Sequence, residues 1–159
     1  MSKKIVFMGT PEFSVPTLKV LVKSNYELAC VYTQPPKKSS RGQKLKISAV
    51  HDAAQKLNLT IKTPKSLNDK NEYEYFKSID PYIVVVVAYG QIIPKNYLDL
   101  PDKGFINIHA SLLPKWRGAA PIQRSIMNLE KETGISIMKI EEELDTGPIC
   151  NSYKVNIHI

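Results

Sequence analysis

Residues Pro81 to Gly90 read PYIVVVVAYG. From Tyr82 to Ala88 no charge interrupts the run, and Ile83 to Val87 are all β-branched. A strand of that composition has no polar face, so it must be covered on both sides. Strands covered on both sides belong to parallel sheets flanked by helices. The neighbouring segments agree. KIVFM (Lys4 to Met8) and YELACVYT (Tyr26 to Thr33) read as strands. Between them, VPTLKVLVK carries Val15, Leu18, Leu21 and Val22 at helical spacing. Ile47 to Asn58 and Asp69 to Ile79 read as further helices, with a short strand in TIKTP. Downstream, GFINIHA is a strand, APIQRSIMNLE a helix, and GISIMKI and ICNSYKVNI two last strands. This alternation predicts βαβ units in an α/β fold of the Rossmann-like, doubly wound class with a mostly parallel sheet. The last connection, EEELDTGP, is too short for a crossover helix, so the final two strands are expected to pair antiparallel at a sheet edge.

The chain has 159 residues, enough for one domain with a single core. No apolar run approaches the roughly 18 residues that cross a bilayer. MSKKIVFMGTPEFS holds no apolar stretch of signal-peptide length, so a cytoplasmic protein without a membrane partner is expected. Cys30 and Cys150 follow no disulfide or metal spacing and are read as reduced thiols. The net charge of +7 points to an anionic partner. Its distribution says more, because Lys37, Lys38, Arg41, Lys44 and Lys46 share one Pro/Ser/Gly-containing loop with no acid among them.

Three stretches carry chemistry. GTPEFS, after the first strand, sits where such folds hold phosphates, yet it matches neither dinucleotide nor P-loop patterns. It is a strand-to-helix turn or one wall of a ligand cleft. In FINIHASLLPKWRGAAPIQ, Asn107 and His109 share one face of a strand while Ile106 and Ile108 face apolar packing. The loop that follows, with Pro114, Trp116, Arg117, Gly118 and Pro121, is stiff enough to support a preorganised site. In EELDTGPI, Asp145 lies in the turn between the last two strands, either capping local backbone or sharing a cleft with His109. Ser111 lacks a nucleophile elbow, and no three ligands have metal spacing. An Asn, a His and an Asp suit direct transfer: Asn107 donating to an oxyanion, His109 donating or moving protons, Asp145 orienting the ring and helping to deprotonate an attacking amine.

GTPEFSVPTL, AYGQIIP, INIHASLLPKWRGAAPI and ELDTGPI occur in the family order, and the chain resembles the 10-formyltetrahydrofolate-dependent formyltransferases, most of all those acting on methionyl-tRNA. The resemblance implies Asn107, His109 and Asp145 as the catalytic trio, with no metal. It implies a folate pocket at Ala88, Tyr89, Gly90, Gln91 and Ile92, completed by Glu142, Glu143 and Leu144. Glu143 stands where the family pattern has Gly. SSRGQKLK resembles the insertion of tRNA-acting members, so Arg41 and Lys44 are expected at the acceptor end of the tRNA. Phe13, Ser111, Leu112, Leu113, Pro114 and Arg117 complete the expected surface for the tRNA and its methionyl end.

The implied reaction is formyl transfer from 10-formyltetrahydrofolate to the α-amine of initiator methionyl-tRNA. Two alternatives stay open: a formyltransferase acting on a sugar-nucleotide or glycinamide ribonucleotide amine, and a non-catalytic basic RNA-binding module. The resemblance further implies that residues 1–159 are an N-terminal catalytic domain cut short, without the family's β-rich tRNA-binding C-terminal domain, and that the intact protein is a monomer.

Overall fold

The computed structural model describes residues 2–38 and 44–158. The chain divides into two units, Met1–Gly104 and Phe105–Ile159.

The first unit runs β1 (Lys4–Gly9), a single 3₁₀ turn (Glu12–Ser14), α1 (Val15–Val22), β2 (Glu27–Tyr32), β3 (Lys37–Lys38), β4 (Leu45–Lys46), α2 (Ala49–Lys56), β5 (Ile61–Lys62), α3 (Lys70–Ile79), β6 (Ile83–Val87) and α4 (Lys95–Leu98). Its main strands lie in the order β5–β2–β1–β6, every neighbouring pair parallel. Each β6 side chain is buried or half-buried, as its unbroken apolar run requires. Phe7, Val31, Leu18 and Phe76 are fully buried between sheet and helices. The helix starts are locally encoded. Ser48 caps α2 by accepting from the His51 N–H, and Asp69 caps α3 by accepting from the Glu72 N–H.

A buried polar cluster ties α3 to the sheet. Tyr32 Oη donates to Glu72 at 2.6 Å, and Lys62 Nζ reaches the other carboxylate oxygen at 3.1 Å. Burial first, then Glu72, pushes the Tyr32 phenol far up, so it remains a donor through the physiological range. Tyr32→Phe is expected to cost about 1–3 kcal/mol, because it leaves a buried carboxylate one hydrogen bond short. Urea unfolding measures this; a midpoint equal to wild type would mean that water already reaches Glu72.

Two details depart from the sequence reading. The basic stretch is not wholly irregular: Lys37 pairs with Lys46 and Lys38 with Leu45 in a short antiparallel ladder. The one-turn helix α4 follows Pro94, whose ring suits an N-cap position, in a stretch without helical apolar spacing.

The second unit runs β7 (Phe105–His109), α5 (Pro121–Met127), β8 (Glu132–Lys139) and β9 (Ile149–Asn156). β8 pairs antiparallel with β9, as the short connection demands. It is also antiparallel to β7, with Ile106 opposite Lys139 and His109 opposite Ser136. The βαβ alternation predicts a crossover at α5, which the antiparallel pairing of β7 and β8 overturns. At seven residues α5 is only about 10 Å long. It cannot return the chain along the sheet, so β8 re-enters at the end where β7 leaves. Alternate β8 residues Gly134, Ser136 and Met138 are buried, whereas β9 is exposed throughout.

Candidate active site

The second unit gathers the predicted trio. Asn107 and His109 lie on β7 opposite Met138 and Ser136 of β8, all on one face. The His109 ring is nearly enclosed, and its Nε2 lies 2.9 Å from the Trp116 carbonyl oxygen. A carbonyl only accepts, so Nε2 carries the proton and donates it there. In the neutral ring, Nδ1 is therefore the unprotonated nitrogen. It faces Asp145 Oδ2 at 3.7 Å, too far for a hydrogen bond yet within reach of a charge. The same Asp145 oxygen accepts the Gly118 N–H at 2.7 Å. Asp145 sits at φ 53, in the left-handed region that Asp tolerates better than most residues. The Asn107 side-chain amide is half-buried and makes no hydrogen bond among the described residues. An amide donor, an imidazole with one uncommitted nitrogen and a carboxylate thus share one end of the unit.

Hydroxyls shape the loop behind this group. Ser136 Oγ accepts from the Leu113 N–H at 3.0 Å and donates to the Ser111 carbonyl at 2.8 Å. Ser111 Oγ donates to the Lys115 carbonyl. Ser111 is fully buried, so its expected contact with the amine substrate is corrected: its hydroxyl is spent on the loop. Leu112 and Leu113 are half-buried, while Pro114 and Arg117 are exposed. The Leu113–Pro114 peptide is cis. Sequence reasoning missed Ser136 and the Gly118 N–H. The buried Ser at an inward position of GISIMKI was a usable signal; a backbone N–H leaves none.

In the first unit, strand order reverses between β1 and β6, the place where open α/β sheets hold ligands at their carboxyl ends. The loops there are tied together. Thr10 Oγ1 donates to the Tyr89 carbonyl at 2.7 Å, and Ser14 Oγ donates to the Val87 carbonyl. Of the stretch expected to hold folate, Ala88 (φ 48) and Gly90 (φ 86) are exposed, as is Ile92. Gln91 donates to the Pro64 carbonyl at 2.9 Å. The Tyr89 side chain points into the core and is only 2% exposed, so it can offer a ligand its backbone but not its ring. Phe13 is exposed on the neighbouring turn. In the second unit, Glu142, Glu143 and Leu144 are exposed ahead of Asp145. Lys37, Lys38, Lys44 and Lys46 are exposed, and Arg41 lies outside the described residues. Among the described residues, no group of three or more His, Cys, Asp or Glu could hold a metal ion, and no helix is long and apolar enough to cross a membrane.

The family model described as Formyl transferase matches residues 3–159. The chain belongs to the formyl transferase family. Among curated formyl transferases, it is 66% identical over 158 residues to methionyl-tRNA formyltransferase of Pelagibacter ubique, covering 99% of this chain and 51% of that protein. It is 49% identical, with the same coverage of each, to methionyl-tRNA formyltransferase of Chelativorans. The chain thus spans about half the length of the curated relatives it matches. Among solved structures, phosphoribosylglycinamide formyltransferase from Bacillus halodurans has a TM-score of 0.75 at 22% identity, over 98% of this chain and 81% of that one. A formyltetrahydrofolate deformylase from Pseudomonas syringae gives 0.74 at 23% identity, over 99% and 52%. At those identities the likeness establishes the formyl transferase fold, an α/β fold with parallel and antiparallel strands.

Proposed function

We propose that the chain transfers the formyl group of 10-formyltetrahydrofolate to the α-amine of initiator methionyl-tRNA, with residues 1–159 acting as an N-terminal catalytic domain. One observation carries the chemistry. His109 has Nε2 committed to the Trp116 carbonyl and Nδ1 turned to Asp145, on the strand face that also bears the unpaired Asn107 amide. The folate is consumed in the reaction and is therefore a second substrate. The neutral amine attacks the formyl carbon, a C–N bond forms, and the carbonyl pair moves onto oxygen. Asn107 donates an N–H to that oxygen. His109, protonated at Nδ1, donates beside it, and Asp145 balances the ring's charge. Asp145 Oδ1 takes the proton shed by the attacking nitrogen. That proton passes to the departing folate nitrogen as the old C–N bond breaks, leaving a formamide and tetrahydrofolate.

The choice of acceptor is supported by relatives that are 66% and 49% identical and named for methionyl-tRNA. The basic ladder supports it too. Lys37 directly opposite Lys46 is a like-charge pair that an RNA phosphate would relieve. Arg41→Ala is expected to raise the KM for tRNA well beyond that for folate, and to lower the salt slope of tRNA binding by about 1. Equal changes in both KM values would indicate a folding defect instead. The deciding assay offers the folate donor with charged initiator tRNA, charged elongator tRNA and glycinamide ribonucleotide. Preference for the ribonucleotide would move the reading to that branch of the family. Absence of transfer to any of the three would leave a non-catalytic RNA-binding module.

A further inference from the structure

Trp116 serves His109 through its backbone, yet its backbone is in an uncommon state. Its carbonyl oxygen accepts from His109 Nε2 at 2.9 Å, while its own φ is 56. A bulky L-residue stays in the left-handed region only where its surroundings hold it. The indole is the handle. Its Nε1 is buried and makes no hydrogen bond of full geometry among the described residues, although a buried indole N–H calls for an acceptor. The Glu130 carboxylate stands beside it, on the wall of a hollow of about 350 Å³ that Trp116 shares with Leu112, Pro114 and Lys115. Glu130 is itself anchored, since one of its oxygens takes Lys115 Nζ at 3.3 Å and Asn128 Nδ2 at 3.4 Å. The indole first, then Lys115 and Asn128, hold its carboxyl below the usual carboxylate range. The other acid lining the hollow, Glu132, lies 3.9 Å from Lys154 instead.

We propose that Glu130 is a positioning residue. By steadying the Trp116 indole it fixes the Trp116 carbonyl against His109 Nε2, and so reserves Nδ1 as the ring nitrogen that exchanges protons. The two neutral forms of an imidazole differ little in energy, so a fixed acceptor at one nitrogen decides between them. If the peptide after Trp116 turns, that acceptor leaves. Nε2 loses its partner, and the form with the proton on Nδ1 becomes populated. The contribution to turnover rests on the formyl-transfer reading; the effect on the ring does not.

The chain has three histidines, so ¹⁵N spectra of selectively labelled protein can resolve His109. Unsubstituted protein should show His109 protonated at Nε2 when neutral. Glu130→Ala should populate the Nδ1-protonated form substantially. Glu130→Gln, which keeps an oxygen for the indole, should restore most of the original ratio. Lys115 is exposed, so Lys115→Ala should fold and shift the ratio in the same direction by less. An unchanged ratio in folded Glu130→Ala overturns the proposal. If that variant does not fold, an unchanged ratio in Lys115→Ala overturns it. In the formylation assay, Glu130→Ala should lower kcat about tenfold or more, the scale seen when the partner that orients a functional imidazole is lost. Both KM values should stay within about twofold, as expected of a residue that acts through His109 and not on a substrate. A raised KM at unchanged kcat would overturn the positioning role. Absence of transfer by unsubstituted protein would instead sink the functional reading while the tautomer result stood.

Discussion

His109→Ala is expected to lower kcat for formyl transfer by roughly 10²-fold or more, the scale of removing one donor from a developing oxyanion. Asn107→Ala should fall in the same range, because its side-chain amide makes no hydrogen bond among the described residues and is left to donate. Asp145 needs a gentler change. Asp145→Asn keeps a residue suited to φ 53 and an oxygen for the Gly118 N–H, but removes the charge facing His109 Nδ1. Its loss therefore reports charge rather than loop shape. Folate affinity should survive all three, since the stretch expected to hold the pterin presents mainly backbone. Steady-state kinetics with equilibrium folate binding measures both quantities. Turnover within a few-fold of wild type in His109→Ala would sink the proposed chemistry. Equal losses of turnover and folate affinity would place these residues in binding instead.

Gly147→Ala should be the most damaging single methyl in the second unit. A Cβ built there lies 1.9 Å from the Lys139 carbonyl oxygen and 3.0 Å from its carbon. Both are backbone atoms of β8, so no side chain can step aside. The same register is held by the Lys139 N–H donating to the Pro148 carbonyl at 2.9 Å. Relief requires moving the turn, and Asp145 lies on that turn. The expected cost is about 2 kcal/mol or more, in the range of overpacked sites, with turnover falling alongside. Gly134→Ala makes a useful comparison. Its Cβ would come within 2.1 Å of the Tyr153 carbonyl oxygen and 2.6 Å of Leu112 Cδ2, pressing on the loop that carries Trp116. Thermal unfolding and kcat on both variants test this. A Gly147→Ala protein with unchanged midpoint and turnover would mean that the β8–β9 turn is far more yielding than its contacts indicate.

Some of this protein could be read from residue order alone. The all-apolar run from Ile83 to Val87 required two covered faces, and β6 is a parallel strand beside β1. The helices read over Ile47 to Asn58 and Asp69 to Ile79 are present as α2 and α3, and each start is held by a local contact across three residues, from Ser48 and Asp69. Asn107 and His109 had to share a face, because side chains alternate strictly along a strand. The short span before β9 required an antiparallel return. Each of these depends on near neighbours in the chain or on a fixed repeat.

Other features became definite only in three dimensions. That β8 runs against β7 depends on where α5 leaves the chain, and the apolar spacing of a strand is the same in either direction. Ser111 sits in a polar-looking loop, yet it is fully buried because Lys115 and Ser136 close around it. Tyr89 lies in the stretch expected to meet folate, yet its ring fills the core. The partners of His109 come from the Trp116 carbonyl and from Asp145, 36 residues away in sequence, and no side-chain pattern encodes a carbonyl's direction. The residue types and their spacing determined the elements and the chemical groups available. The tertiary structure decided which nitrogen of His109 is held by a carbonyl and which faces Asp145, because hydrogen-bond direction depends on angstrom-scale placement of atoms brought together from separate positions.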